Sequence, residues 1–470
     1  MNLHRMQSLK TTSPSMGILA NIGRYIQQIW QLGLELLRGE KKELPRFANS
    51  VALILGRFAS SGLGFLTWMI IARLYVPSEM GIASGLVSAM MLLVQLSMLG
   101  IGAAFIARLP HHPHRSARLL DTSLNIVSAL ALISAGGFIL LSSWFFHELR
   151  IVADQPGYAF LFLGMVLFGT LYTLMDHFSI AIRRSDQVLS RNVLHGVVAI
   201  LAAGAFPLLF QSSTSIFIIF SWTLAGLGSC ALGLVQLWRS MSRYIFRLSI
   251  DRQMAKELVA TGLPNYLLTM SERAPNWILP ILVTEMLSPA DNARWYTVWM
   301  MAWVVFQIPI SIGQNLFADV ARHPDKLKSS IRYSHRTSLI LGSLAAVGVL
   351  IFAPLMLSLL GKEYAAIGTL PLRIISLAVY PVVFIQAYYA VCRGVSRLFE
   401  ATMTGLISGI VGVAAAITMG MAYGLPGMAI AWLITQSMAG LWAMWRTRYL
   451  VRHSPASSPS SDEVSGDEVA

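Results

Sequence analysis

Long apolar runs alternate with short polar stretches from residue 47 to residue 445. A run of about 20 mostly apolar residues is what an α-helix needs to cross the hydrocarbon core of a bilayer. The pattern predicts twelve spans, over 47–72, 80–107, 119–144, 157–181, 192–211, 214–238, 258–284, 295–318, 337–358, 366–391, 399–421 and 425–445. No stretch between them is long enough to fold as a domain. Residues 16–42 have another period. Ile18, Ile22, Ile26, Ile29, Leu36 and Leu37 share one helical face, with Arg24, Gln27, Gln31, Glu35 and Arg38 opposite. This predicts an amphipathic helix lying on the membrane surface. The closing SPASSPSSDEVSGDEVA reads as disordered.

Composition agrees with a membrane class. The chain is 55% hydrophobic and only 12% charged, where soluble domains run near 25% charged. Charge then orients the spans. Among 35 lysines and arginines, only Arg73, Arg150, Arg294, Lys362 and Arg373 fall on one side, and Arg57 and Arg273 fall inside spans. The rest, including Arg183, Arg184 and Arg191, are assigned to the side of the N-terminus, which makes that side cytoplasmic. The formal charge of +13 needs no nucleic acid to explain it. The first 45 residues lack the short apolar core and cleavage site of a signal peptide.

The chain repeats itself. ARLYVPSEMGIA (72–83) resembles TEMLSPADNARW (284–295), and AIRRSDQVLSR (181–191) resembles AVCRGVSRLFE (390–400). Both pairs occupy matching loops of two six-span halves. The expected fold is therefore an all-α polytopic membrane protein, with about twelve transmembrane helices in two six-helix bundles. A pseudo-two-fold along the membrane normal relates them. The expected parts are a cytoplasmic segment 1–45, bundles 46–238 and 258–446, a basic linker 239–257 and a tail 447–470.

Arg57 and Arg273 carry the chemistry. Each lies in the first span of a half, about 16 Å and about 24 Å from the nearest cytoplasmic charges at Arg46 and Glu257. An arginine at mid-membrane costs roughly 2.5–3.5 kcal/mol on insertion scales and normally faces a protein interior or a wet cavity. One reading is an ion pair holding helices together. The other is a bound anion, since guanidinium grips phosphate in a fork and keeps its charge. Gly62 and Gly64 in the first span, and Pro275 and Pro280 beside Pro264 in the seventh, suggest interrupted helices, which in transporters mark binding sites. Ordinary small-residue packing is the alternative for the glycines. Asp176 could neutralise Arg57 or bind an ion. Glu272 and His195, placed near a helix end, complete the candidates for coupling to a proton or sodium ion.

Enzyme signatures are lacking: there is no Walker A sequence, HExxH or GxSxG. Cys230 and Cys392 suggest neither disulfide nor metal, and His111, His112 and His114 read as a solvated turn. No cofactor or metal is expected.

The stretch 53–110 resembles the opening of bacterial polysaccharide flippases of the Wzx type, in the multidrug/oligosaccharidyl-lipid/polysaccharide exporter superfamily. The resemblance rests on Gly56-Arg57, Ala72-Arg73-Leu74-Tyr75, Pro77-Ser78-Glu79-Met80-Gly81, and Leu99-Gly100 followed by Arg108-Leu109-Pro110. YGLPGMAIAW (423–432) resembles the superfamily's closing-span pattern. It implies two bundles around a central cavity in the bacterial inner membrane, with both termini cytoplasmic. It implies transfer of an undecaprenyl-diphosphate-linked oligosaccharide to the periplasmic leaflet by alternating access, for lipopolysaccharide or exopolysaccharide synthesis. Arg57 would contact the diphosphate; Arg273 falls opposite Ser61 rather than Arg57, one turn out of register. Membrane lipids and the pathway's glycosyltransferases and polymerase are the implied partners. Two alternatives stand beside this. A cation-coupled multidrug exporter should have an acidic or aromatic pocket, and a membrane polymerase or glycosyltransferase should have larger outer loops than 145–156 and 359–365.

Overall fold

The computed structural model describes residues 46–109, 116–241, 246–322 and 327–453. The surface helix expected over 16–42, the His111–His112–His114 cluster and the tail after His453 lie outside them. Every regular element among the described residues is an α-helix. In chain order these are α1 Arg46–Leu74, α2 Pro77–Met98, α3 Ile101–Arg108, α4 Ser116–Phe145, α5 Ile151–Asp154, α6 Pro156–Ala181, α7 Ser185–Phe210 and α8 Ser215–Ser240. The second half comprises α9 Arg252–Met286, α10 Pro289–Arg322, α11 Leu327–Ser358, α12 Lys362–Ser376, α13 Val379–Gly394 and α14 Leu398–His453.

Eight of these are long and apolar enough to cross a bilayer alone, and the bent pair α12–α13 makes a ninth. α14 holds two spans, folded at Gly424, whose φ of 65° and ψ of −158° suit only glycine. With α1 and α9, the helices trace the twelve expected spans. The repeat is visible in the local geometry. α2 and α10 both start with proline, Pro77 and Pro289, at the first helical position, where its fixed φ helps and its missing N–H costs nothing. The turns before α7 and α14 both pass through a left-handed residue, Arg183 and Ser396, each with φ 58°. That register is one helical turn longer than the residue match of 181–191 with 390–400.

Breaks occur where the sequence did not place them. The second span parts at Leu99 (φ 43°) and Gly100 (φ 77°), between α2 and α3, and the tenth bends by 44° between α12 and α13. α1 runs unbroken through Gly62 and Gly64, and α9 unbroken through Pro264, Pro275 and Pro280. The expected interruptions of the first and seventh spans are thus corrected. A proline-freed carbonyl is tolerated in a membrane helix when a neighbour covers it. Here α14 lies directly on Pro275, where any side chain at Gly409 would come within 2.7 Å of the ring.

Two faces organise the rest. The terminal face bears the start of α1 and the end of α14; the opposite face bears the α1–α2, α9–α10 and α11–α12 turns. α1, α2, α4, α6, α7 and α8 pack as one lobe and α9 to α14 as another. One hydrophobic core is shared by both, from Trp68, Met80 and Leu86 to Trp295, Trp299 and Leu372. A second core, around Phe105, Leu120 and Phe178, belongs almost wholly to the first lobe, and a third, around Leu316, Tyr388 and Ala443, to the second. The lobes therefore share a core toward the opposite face and, on the α1–α10 side, separate toward the terminal face.

The candidate cleft

The space between the lobes is bordered by α1 and α10 on one edge. Tyr296, Met300, Val304, Gln307, Ser311, Gln314 and Asn315 recur every three or four residues and share a face of α10. Near the opposite face this side meets α1, with the Tyr296 ring 4.7 Å from Trp68. Below that the contact ends. Val304 is 66% exposed, and Gln307, Ser311, Gln314 and Asn315 are exposed. None of these four polar side chains has a hydrogen-bond partner among the described residues. Uncharged amides and a hydroxyl open at membrane depth mark a wet surface, because lipid would leave them unsatisfied.

On α1, Ser60, Ser61 and Gly62 are exposed, and a Cβ added at Gly62 or Gly64 would meet nothing within 4 Å. The register of α1 puts position 57 on the helix face of Ser61, Gly64 and Trp68. α1 and α10 run antiparallel. Position 57 precedes Trp68 by as many residues as Gln307 follows Tyr296, so the two are level, about 16 Å from the ring contact. The Arg57 side chain itself lies outside the described residues.

Arg273 is on α9, about 20 Å from that helix's far end. It shares a face with Tyr266 and Thr284, both of which touch α2. It is half-buried and, among the described residues, has no hydrogen-bond or ion-pair partner. Glu272 points elsewhere. It accepts from Gln386 Nε2 at 2.6 Å and lies 3.5 Å from Arg393. Glu272 and Gln386 border a chamber of about 70 Å³ inside the second lobe, with Asn276, Trp299, Trp432 and Gln436. Glu272 therefore does not neutralise its sequence neighbour.

Asp176 is also engaged. Its partner among the described side chains is Arg191, at 2.7 Å. Arg191 is 1% exposed, almost two turns into α7, and donates to Ser179 Oγ, Met175 O and Gln236 Oε1 as well. The charge count had placed it in a cytoplasmic loop. The fifth span starts seven residues earlier than hydropathy suggested, and Arg191 goes inside with it. His195 is accordingly mid-helix. Its ring sits between Tyr172 (5.3 Å) and Trp222 (5.6 Å), and its Nδ1 is buried with no partner. Asp176 and His195 thus belong to the interior of the first lobe, Glu272 to that of the second, and only positions 57 and 273 to the inter-lobe region. Residue reading missed Arg191 and the α10 stripe. The stripe had a signal: a 3.6-residue polar period, Gln307, Ser311 and Gln314–Asn315, inside an apolar span.

Beyond the cleft, the opposite face is held shut by contacts between lobes. Arg73 donates to the carbonyls of Ser358 and Leu359, both at 2.9 Å. Glu285 accepts from the backbone N–H groups of His147, Glu148 and Leu149 at 2.6, 3.1 and 2.7 Å. Asn292 Nδ2 donates to Gly81 O and Ser84 Oγ, both at 2.9 Å.

A two-lobed helical bundle with a wet cleft at membrane depth defines a class, the multi-pass membrane transporters. Solved structures agree on the fold. An inward-facing multidrug resistance MATE family transporter of the MOP superfamily matches with a TM-score of 0.67 at 16% identity, covering 85% of this chain and 98% of that one. A MOP superfamily transporter from Pyrococcus furiosus, described by a reversed polarity of its binding pocket, matches at 0.58 and 14%, covering 86% and 94%. A MATE protein in complex with MaL6 matches at 0.60 and 14%, covering 86% and 95%. No curated protein sequence matches the chain. The model of the polysaccharide biosynthesis protein family matches residues 47–317, and the chain belongs to that family.

Proposed function

We propose that this protein carries an undecaprenyl-diphosphate-linked oligosaccharide from the cytoplasmic to the periplasmic leaflet of the bacterial inner membrane, by alternating access. The observation that carries this reading is Arg273: a half-buried mid-span arginine with no partner among the described residues, in a chain of the polysaccharide biosynthesis family. A cation left unpaired at that depth is costly unless a ligand completes it. A diphosphate does so with two charges and fork-shaped acceptors. Position 57 lies on the other inter-lobe edge, between α1 and α10, about one helical turn from the same level. The lipid chain would remain in the bilayer while the head occupies the cleft.

In this reading the terminal face is cytoplasmic, with both chain termini, and the lobes 46–238 and 258–446 rock about the linker 239–257. Asp176, Glu272 and His195 remain the candidates for coupling the return step to protons or sodium. Of these, His195 alone has a buried ring nitrogen with no partner among the described residues. Glycosyltransferases and a polymerase of the same pathway would act before and after transfer.

The test is surface polysaccharide at matched protein level for Arg57→Ala, Arg57→Lys and Arg273→Ala. The expected loss is at least tenfold for each alanine variant, equivalent to ~1.4 kcal/mol. Full function in both alanine variants would reject the diphosphate contact. Rescue by lysine would assign the effect to charge rather than to the guanidinium fork.

A further inference from the structure

The exposed face of α10 has a chemistry of its own. From Gln307 to Asn315 it offers two glutamines, one serine and one asparagine and no charge, over about 12 Å of helix rise. Those groups supply paired donors and acceptors in fixed directions. None is used internally among the described residues. The face begins level with position 57 and runs from there toward the terminal face, where the lobes have separated. An anion held at the level of Arg57 and Arg273 would therefore leave whatever is attached to it lying along this stripe.

We infer that Gln307, Ser311, Gln314 and Asn315 form a subsite for the uncharged hydroxyls of the sugar chain. The inference rests on the reading of the substrate as a lipid-linked oligosaccharide. A phosphate would select cations, and an acyl chain would select the apolar residues found elsewhere on the lobe surfaces, such as Ile340, Leu344 and Ile351 on α11. Side-chain amides and hydroxyls at membrane depth suit neither. They suit a polyol, whose hydroxyls both donate and accept. The cleft then divides its work: arginines hold the diphosphate common to all such lipids, and the α10 stripe reads the glycan.

Binding to the purified protein, measured by native mass spectrometry, separates the two parts. The probes are bare undecaprenyl diphosphate and the undecaprenyl-diphosphate-linked oligosaccharide extracted from the producing cells. The variant is Gln307→Met with Gln314→Met, which keeps size and helix preference and removes the amides. Wild type should bind the glycan-bearing lipid more tightly than the bare one. The double variant should lose at least tenfold on the glycan-bearing lipid while bare-lipid binding stays within twofold, which also shows that the cleft is folded. Unchanged binding of both would overturn the subsite. Equal loss of both would overturn it too, and would make the stripe a packing surface for α1. Failure of wild type to bind either lipid would instead reject the transport reading beneath it. Ser311→Ala with Asn315→Leu should reproduce the selective loss at smaller amplitude.

Discussion

Beside the central contact of α2 with α10, where Asn292 bonds Gly81 and Ser84, the lobes meet along two seams that the internal repeat makes equivalent, α2 with α9 and α1 with α10, and the two are built differently. The α2–α9 seam is joined along its whole length. Thr284 packs on Gly85 near the opposite face, and Tyr266 donates to Gln95 O at 2.9 Å further down. The backbones of Gly100 and Gly262 meet with no room for a side chain on either. The linker adds to it: Asn125 and Thr122 of α4 bond the backbone of residues 247–251, and Leu258 of α9 is buried in the first lobe's core. The α1–α10 seam holds only near the opposite face, at Trp68–Tyr296, where Arg73 of α1 also bonds the carbonyls of Ser358 and Leu359 at the end of α11. One seam is a spine and the other an edge. The repeat also places Arg73 and Glu285 in matching positions, and they latch the two outer loops with opposite chemistry, one donating to carbonyls and one accepting from N–H groups. Symmetry of sequence origin has thus been kept in position and given up in function.

The largest effect should come from prising the spine apart. A Cβ at Gly262 would lie 2.1 Å from Gly100 O, a backbone atom that cannot swing away. Gly262→Val should therefore cost about 3 kcal/mol or more and deplete folded protein, seen as a fall in melting temperature. An unchanged melting temperature would deny the spine its tight contact. Glu285→Ala comes next. It strips three N–H groups of an ionised acceptor, each such bond contributing about 1.5–3 kcal/mol where water is excluded and less at this partly exposed site. The expected result is increased thiol labelling of a cysteine placed at Met80 from the opposite face, by about tenfold. Arg73→Gln should act in the same direction but more weakly, since two carbonyls at an exposed helix end can turn to water.

Cross-linking separates spine from edge. The built Cβ of Gly85 lies 3.5 Å from that of Thr284, within disulfide reach. Oxidised Gly85→Cys/Thr284→Cys should keep most transport if the spine stays closed, whereas a short cross-linker between Trp68→Cys and Tyr296→Cys should stop it. The opposite ranking would exchange the two roles. The smallest effect is expected at Gly64→Ala. Its Cβ enters open space and its helix propensity improves, so stability should rise by no more than about 1 kcal/mol.

Much of this architecture is legible in the amino-acid pattern, because span length and loop charge are set by the bilayer rather than by tertiary detail. Twelve spans, two halves and the paired Pro77 and Pro289 turns follow from hydropathy and local repeats. What fails is side-chain assignment at span ends. Arg191 counts as a loop charge until α7 is seen to start at Ser185, which carries Arg191 into the first lobe's interior against Asp176. Prolines mislead for a related reason. Pro275 and Pro280 look like a break when α9 is read alone, but α14 covers the helix there. The real break, at Leu99–Gly100, depends on the close approach of Gly262, which no local pattern contains. The α10 stripe shows the reverse case: its period was in the sequence, but only the separation of the lobes explains why amides stay open there.

The most direct test is translocation itself. Purified protein is reconstituted in liposomes loaded on one leaflet with undecaprenyl-diphosphate-linked oligosaccharide from the producing cells, and arrival of the glycan on the other leaflet is followed by external glycosidase digestion. The account predicts transfer well above protein-free liposomes, cut at least tenfold in Arg57→Ala/Arg273→Ala. Transfer no faster than in protein-free liposomes, or a double variant as fast as wild type, would contradict it.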